Sequence, residues 1–87
     1  MTHAETMLKR HQEVQAFLEE KYPTYQVIDI DERAMTTYDR GHLTSAEVVF
    51  ETLMRSADPA QPSLRAVVQL LDDDSLRVKE TTWYHGA

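Results

Sequence analysis

LTSAEVVFETLMRSA, residues 43–57, is the stretch whose reading decides the fold. Thr44 and Glu47 have the spacing of a capping box, in which the Thr hydroxyl accepts from the N3 amide and the Glu carboxylate from the cap amide. Leu43 and Val48 flank that cap at the positions of a hydrophobic staple. Behind it, Ala46, Val49, Phe50, Leu53, Met54 and Ala57 step by three and four along one apolar stripe, with Glu47, Glu51 and Arg55 opposite. Asp58-Pro59 supplies a stop, because Pro disfavours the α conformation in the residue before it and lacks an amide donor. A strand reading rests only on the β-branching of Val48-Val49 and on Phe50. Two end signals and a six-residue stripe outweigh it, so the spacing predicts a helix over 44–57.

Working outward, Thr2 and Glu5 repeat the capping-box spacing, and Ala4, Met7, Leu8, His11, Val14, Leu18 and Tyr22 trace a stripe. A long first helix over 2–21 is expected, with Phe17 off the stripe and Pro23 closing the segment. Residues 25–30 alternate, Ile28 and Ile30 on one face and Asp29 and Asp31 on the other, as in a half-buried strand. Residues 33–38 form a weaker strand candidate. Asp39-Arg40-Gly41 turns the chain, with Gly41 free to adopt a positive φ. Residues 58–63 hold two prolines and read as a loop.

Residues 64–71 and 76–84 are the clearest strand candidates, joined as a hairpin across 72–75. A four-residue loop would place Arg77, Lys79 and Thr81 on the face of Leu64, Ala66, Val68 and Leu70, burying charge. A three- or five-residue loop moves Leu76 and Val78 onto that face instead. The expected architecture is one α+β domain over 1–87, in the order α-β-(β)-α-β-β. Two helices would pack on one face of a small, mainly antiparallel sheet of three to four strands.

Composition narrows the function. The chain has 15 Asp and Glu against 9 Lys and Arg, a net charge of −6, and no cysteine. Disulfides, thiol nucleophiles, Cys-based zinc sites and iron–sulfur clusters are therefore absent. An acidic balance opposes general nucleic-acid binding. No run suits a bilayer span or a signal core, so a cytoplasmic protein with no membrane partner is expected.

Catalytic signals are missing. With two glycines there is no phosphate-cradling loop, and neither a GxSxG elbow nor HExxH occurs. Asp29-x-Asp31 beside Glu32 has no further ligands for a divalent cation. His11 reads as a core-edge histidine with one hydrogen-bonded nitrogen. Asp39-Arg40-Gly41-His42 resembles the tetrapeptide of ββα-metal endonucleases, in which the His is the general base. The match covers four residues, and the magnesium-binding Asn of those enzymes has no counterpart in a chain without Asn.

The expectation is a non-enzymatic protein-binding or regulatory module, such as a small inhibitor or accessory subunit, with no catalytic residues, metal or cofactor. Its binding residues would be Arg65, Gln69, Arg77, Lys79 and Trp83, on the sheet face away from the helices, beside Val67, Leu71 and Thr81. Structurally, those bases would be neutralised across strands by Asp29 and Asp31. The partner would be another protein, or a second copy joined through a strand edge or the first helix. One alternative is an acidic mimic of nucleic acid, if Glu19-Glu20, residues 29–32 and residues 72–74 converge. Another is a small metal- or ligand-binding enzyme using His11, His42 or the Asp29/Asp31 pair.

Overall fold

A computed structural model describes residues 2–84, apart from the His3 side chain. The helix α1 (His3–Lys21) precedes four strands, β1 (Tyr25–Asp39), β2 (His42–Ser56), β3 (Ser63–Leu70) and β4 (Leu76–Tyr84). They form an antiparallel meander in the order β1-β2-β3-β4, with α1 against one face. The α+β class holds. The second helix, the α-β-(β)-α-β-β order and the two-helix cover do not.

The correction centres on residues 44–57, which lie in β2 and the turn after it. Thr44 caps nothing: its hydroxyl donates to the Thr37 carbonyl of β1 (2.9 Å). Glu47 reaches not back to an amide but sideways, accepting from Gln69 of β3 (2.7 Å) and pairing with Lys79 of β4 (2.5 Å). The apparent stripe arises because β2 is an inner strand with apolar residues on both faces. Phe50 and Met54 face α1, whereas Val49 and Leu53 face away. Near-continuous apolar runs are what a strand buried on both sides shows, and period alone does not separate them from a helix. Thr44, Val48, Val49, Phe50 and Thr52 are residues that fit a pleated surface. Asp58-Pro59 still ends the element.

Helix α1 has the expected cap and extent, but Ala4 and Leu8 of its expected stripe are exposed. Thr2 is the N-cap and its Oγ1 accepts from the Glu5 amide (3.2 Å). Val14 and Leu18 are fully buried among Val27, Phe50, Met54, Leu64, Ala66 and Val68. Phe17, off the sequence stripe, packs at the β4 edge with Tyr22, over Leu76 and Val78. Glu19 ties the helix to the sheet by accepting from the Val27 amide (3.1 Å).

The strand candidate at 25–30 and the weaker one at 33–38 form a single strand. A bulge at Ile28 shifts the register, so Val27 and Ile30, rather than Ile28 and Ile30, point to the core. β1 and β2 meet at Arg40-Gly41, both with positive φ (53° and 81°), the backbone of a two-residue type I′ hairpin turn. Gly41 thus has the conformation expected of it, but it leads into a strand. In the second hairpin Leu70 pairs with Leu76, leaving the five-residue loop 71–75. Leu64, Ala66, Val68 and Leu70 share the core side with Leu76 and Val78, as the alternation required.

The two hairpins differ in length. β3 begins its pairing with β2 only at Val48, so residues 35–39 and 42–47 pair with each other alone. A 15-residue strand is about 50 Å long, and the longest dimension of the molecule is 47 Å. The β1–β2 hairpin sets that dimension and projects past the β3–β4 turn as an arm.

Candidate functional site

Arg65, Gln69, Arg77 and Lys79 lie, as expected, on the sheet face away from α1. Their polar groups are engaged. Gln69 donates to Glu47 and accepts from Arg77 (2.5 Å), and Lys79 pairs with the other Glu47 oxygen. The Arg65 guanidinium stacks 4.6 Å from the Tyr84 ring centre. Neutralisation comes from β2, not from Asp29 and Asp31. With two strands lying between β1 and β4, Asp29 cannot reach Lys79. Asp31 instead joins Glu51 in holding Arg33 (3.3 and 3.1 Å).

Trp83 and Thr81 are not on this face. A bulge at Lys79, between the pairs Val67–Glu80 and Val68–Val78, puts Lys79 and Glu80 on the open side together and flips the parity beyond them. Thr81 and Trp83 pair with Ala66 and Leu64 and so take the helix side. Trp83, 57% exposed, borders a shallow recess with Tyr25, Gln61 and Pro62.

His11 meets Phe50 edge-on, ring centres 6.1 Å apart, and its Nε2 is buried with no hydrogen-bond partner. The sequence expectation gave it one hydrogen-bonded nitrogen, and that nitrogen is not Nε2. His42 is exposed at the tip of the arm, far along the sheet from His11. Among the described residues no group of three His, Asp or Glu is placed to hold a metal ion. No helix among them is long and apolar enough to cross a membrane.

The acidic clusters are dispersed. Glu19 and Glu20 end α1, Asp29 and Asp31 line the outer strand, and Asp72, Asp73 and Asp74 sit in the β3–β4 turn. There Asp73 accepts from the Ser75 hydroxyl (2.5 Å) and amide (3.0 Å), which holds its carboxyl below the usual carboxylate range.

What the sequence reading missed is the arm. Residues 34–38 and 42–46 are all exposed and contain no Asp, Glu, Lys or Arg, in a chain that is 28% charged. Met35, Tyr38 and Leu43 are 49%, 62% and 56% exposed. The signal was present as two uncharged runs of β-favouring residues around Arg40-Gly41, but the helix reading of residues 44–57 hid it. Where the arm leaves the body, β2 has a free edge over 42–47. Beside it lies a notch of about 450 Å³, lined by Ala34, Ala46, Glu47, Leu70, Leu71 and Asp72 among others. No protein-family description, curated protein or solved structure matches the chain.

Proposed function

We propose that the chain is a non-enzymatic protein-binding module that engages its partner through the β1–β2 arm. One observation carries this reading: a ribbon of ten exposed, uncharged residues, 34–38 and 42–46, none of which pairs with β3. A two-stranded ribbon without a core beneath it is marginal in water. Unpaired strand edges free of charge accept another chain readily. Outside residues 34–38, which belong to the arm, the other two edges carry features that discourage such pairing. The outer edge of β1 has Asp29, Asp31, Glu32 and Arg33 beside its bulge, and β4 has Arg77, Lys79 and Glu80 beside its own. The basic face acts inward, because Glu47 and Gln69 occupy its cations.

The test is a photo-crosslinking residue at position 38, compared with one at Gln12, exposed on α1. Adducts to protein that form from position 38 and not from position 12 are expected in the native host. Equal yields from both sites, or none from either, would overturn the assignment to the arm.

A further inference from the structure

We infer that the partner seated in the notch is the arm of a second copy of this chain; this rests on the protein-binding reading above. The outline of the sheet carries the argument. One hairpin is long and the other short, so each molecule is a step, and its free edge is the six residues 42–47 of β2. Two such steps related by a two-fold axis normal to the sheet interlock. The 42–47 edges run antiparallel beside each other, and each arm fills the space in line with the other molecule's β3 and β4. Both helices then lie on the same side of one continuous sheet. Such a contact is isologous and closed, so it forms a dimer and stops.

Shape and charge agree with this occupant. The notch floor is small, Ala34 and Ala46, and the arm brings the large exposed side chains Tyr38 and Leu43. By their parity on β1 and β2, these two lie on the helix side of the ribbon. There they meet exposed Leu8, two residues before Arg10, whose guanidinium reaches Asp74 of the β3–β4 turn (3.7 Å). The arm's turn, with Arg40 and His42, comes against the partner's Asp72, Asp73 and Asp74. A register shift between Thr37 and Tyr38 leaves Thr44 as a bulge in this edge, and its hydroxyl donates inward to the Thr37 carbonyl rather than toward a partner (2.9 Å). The arm with the notch and turn residues amounts to about 20 residues a side, the lower bound of a standard interface.

The absence of cysteine makes the test clean. Only the residue on the axis faces its own copy, and Ser45 lies within one residue of the centre of 42–47, so Ser45→Cys should close a disulfide across the seam. Under mild oxidation it should link at least ~10-fold faster than Gln12→Cys, since a seam holds two thiols at mM effective concentration. Sedimentation of the unaltered chain should give twice its 10.1 kDa mass. Arg40→Asp should weaken self-association about two- to fivefold, as a rim charge pair does. A monomer up to hundreds of micromolar, or a dimer in which both cysteine variants link equally, overturns the inference. Position-38 adducts to other proteins would leave the protein-binding reading standing without it.

Discussion

Leu53 and Met54 adjoin in sequence and belong to the same apolar stripe, so a helix would make their truncations about equally costly. In β2 they face opposite sides. Met54 is fully buried in the cluster with Leu18 and Leu64, while Leu53 is half-buried on the open face, paired with Asp29 and Arg65. Met54→Ala leaves a closed cavity and should cost about 2–4 kcal/mol. Leu53→Ala removes about half the burial of a leucine and opens to water, so ~1 kcal/mol is expected. With 87 residues at roughly 0.05–0.15 kcal/mol each, total stability is about 4–13 kcal/mol, so the first change consumes a large share. Urea melts followed by far-UV circular dichroism, with a common slope, give both values. In melting temperature the two variants should differ by about 4–8 °C for each kcal/mol. Equal costs within ~0.5 kcal/mol, or a costlier Leu53→Ala, would refute the strand and with it the arm.

Three further outcomes are expected. His11→Phe keeps the edge-on contact with Phe50 and removes a buried nitrogen without a partner, so it should raise stability by about 1 kcal/mol in the same melts; a loss of that size would refute the placement. Gly41→Ala meets no atom within 4 Å, so its cost comes from φ alone and should be about 1–2 kcal/mol. A neutral effect would refute the type I′ turn. Asp73, lowered by its bonds from Ser75, should titrate below the usual carboxylate range in carboxyl NMR, and Ser75→Ala should bring it back toward that range. Because the folded state lowers this value, its stabilisation is present above the unfolded carboxylate range and is lost as pH falls through the folded one. A profile that gains stability on acidification from this group would contradict the assignment.

The legible parts of the fold were those in which a local signal coincides with a one-sided environment. Thr2 and Glu5 mark a true N-terminus because nothing else competes for that cap. The hairpin of β3 and β4 could be placed because Leu64, Ala66, Val68 and Leu70 alternate with a face that carries Arg65 and Gln69, and burying Arg77 was enough to reject the wrong loop. β2 failed because an inner strand is apolar on two faces, and Val49-Phe50 followed by Leu53-Met54 imitates a helical stripe. Thr44 and Glu47 lie three residues apart in either structure. Only cross-strand partners, Thr37 for one and Gln69 and Lys79 for the other, show what they serve. The bulges at Ile28 and Lys79 add single residues to an otherwise regular alternation. Each transferred a predicted residue, Ile28 from the core and Trp83 from the open face, without a mark in the pattern.

Replacing a second helix by a strand changes what the charged residues are for. A helix is about 10–12 Å across, whereas four strands about 4.8 Å apart span roughly 14 Å between the outer axes. Helix α1 therefore covers the middle of one face, with Phe17 and Tyr22 widening it, and among the described residues no layer covers the other. Yet Val49, which points to that open face, is only 1% exposed. Its cover comes from its neighbours Arg33 and Gln69, to which it is paired, and from the long side chains around them. Long polar side chains shield apolar surface with their stems when their heads are held in place. Asp31 and Glu51 hold Arg33, and Glu47 holds Gln69 and Lys79, with Arg77 on Gln69 beyond. The chain of base, acid, amide and base linked across β1, β2, β3 and β4 is thus a substitute for a missing layer. That substitute ends where β3 ends. Beyond Val48 no third strand among the described residues supplies a stem, and Met35, Tyr38 and Leu43 stay exposed, the surface that the proposed protein-binding function would cover.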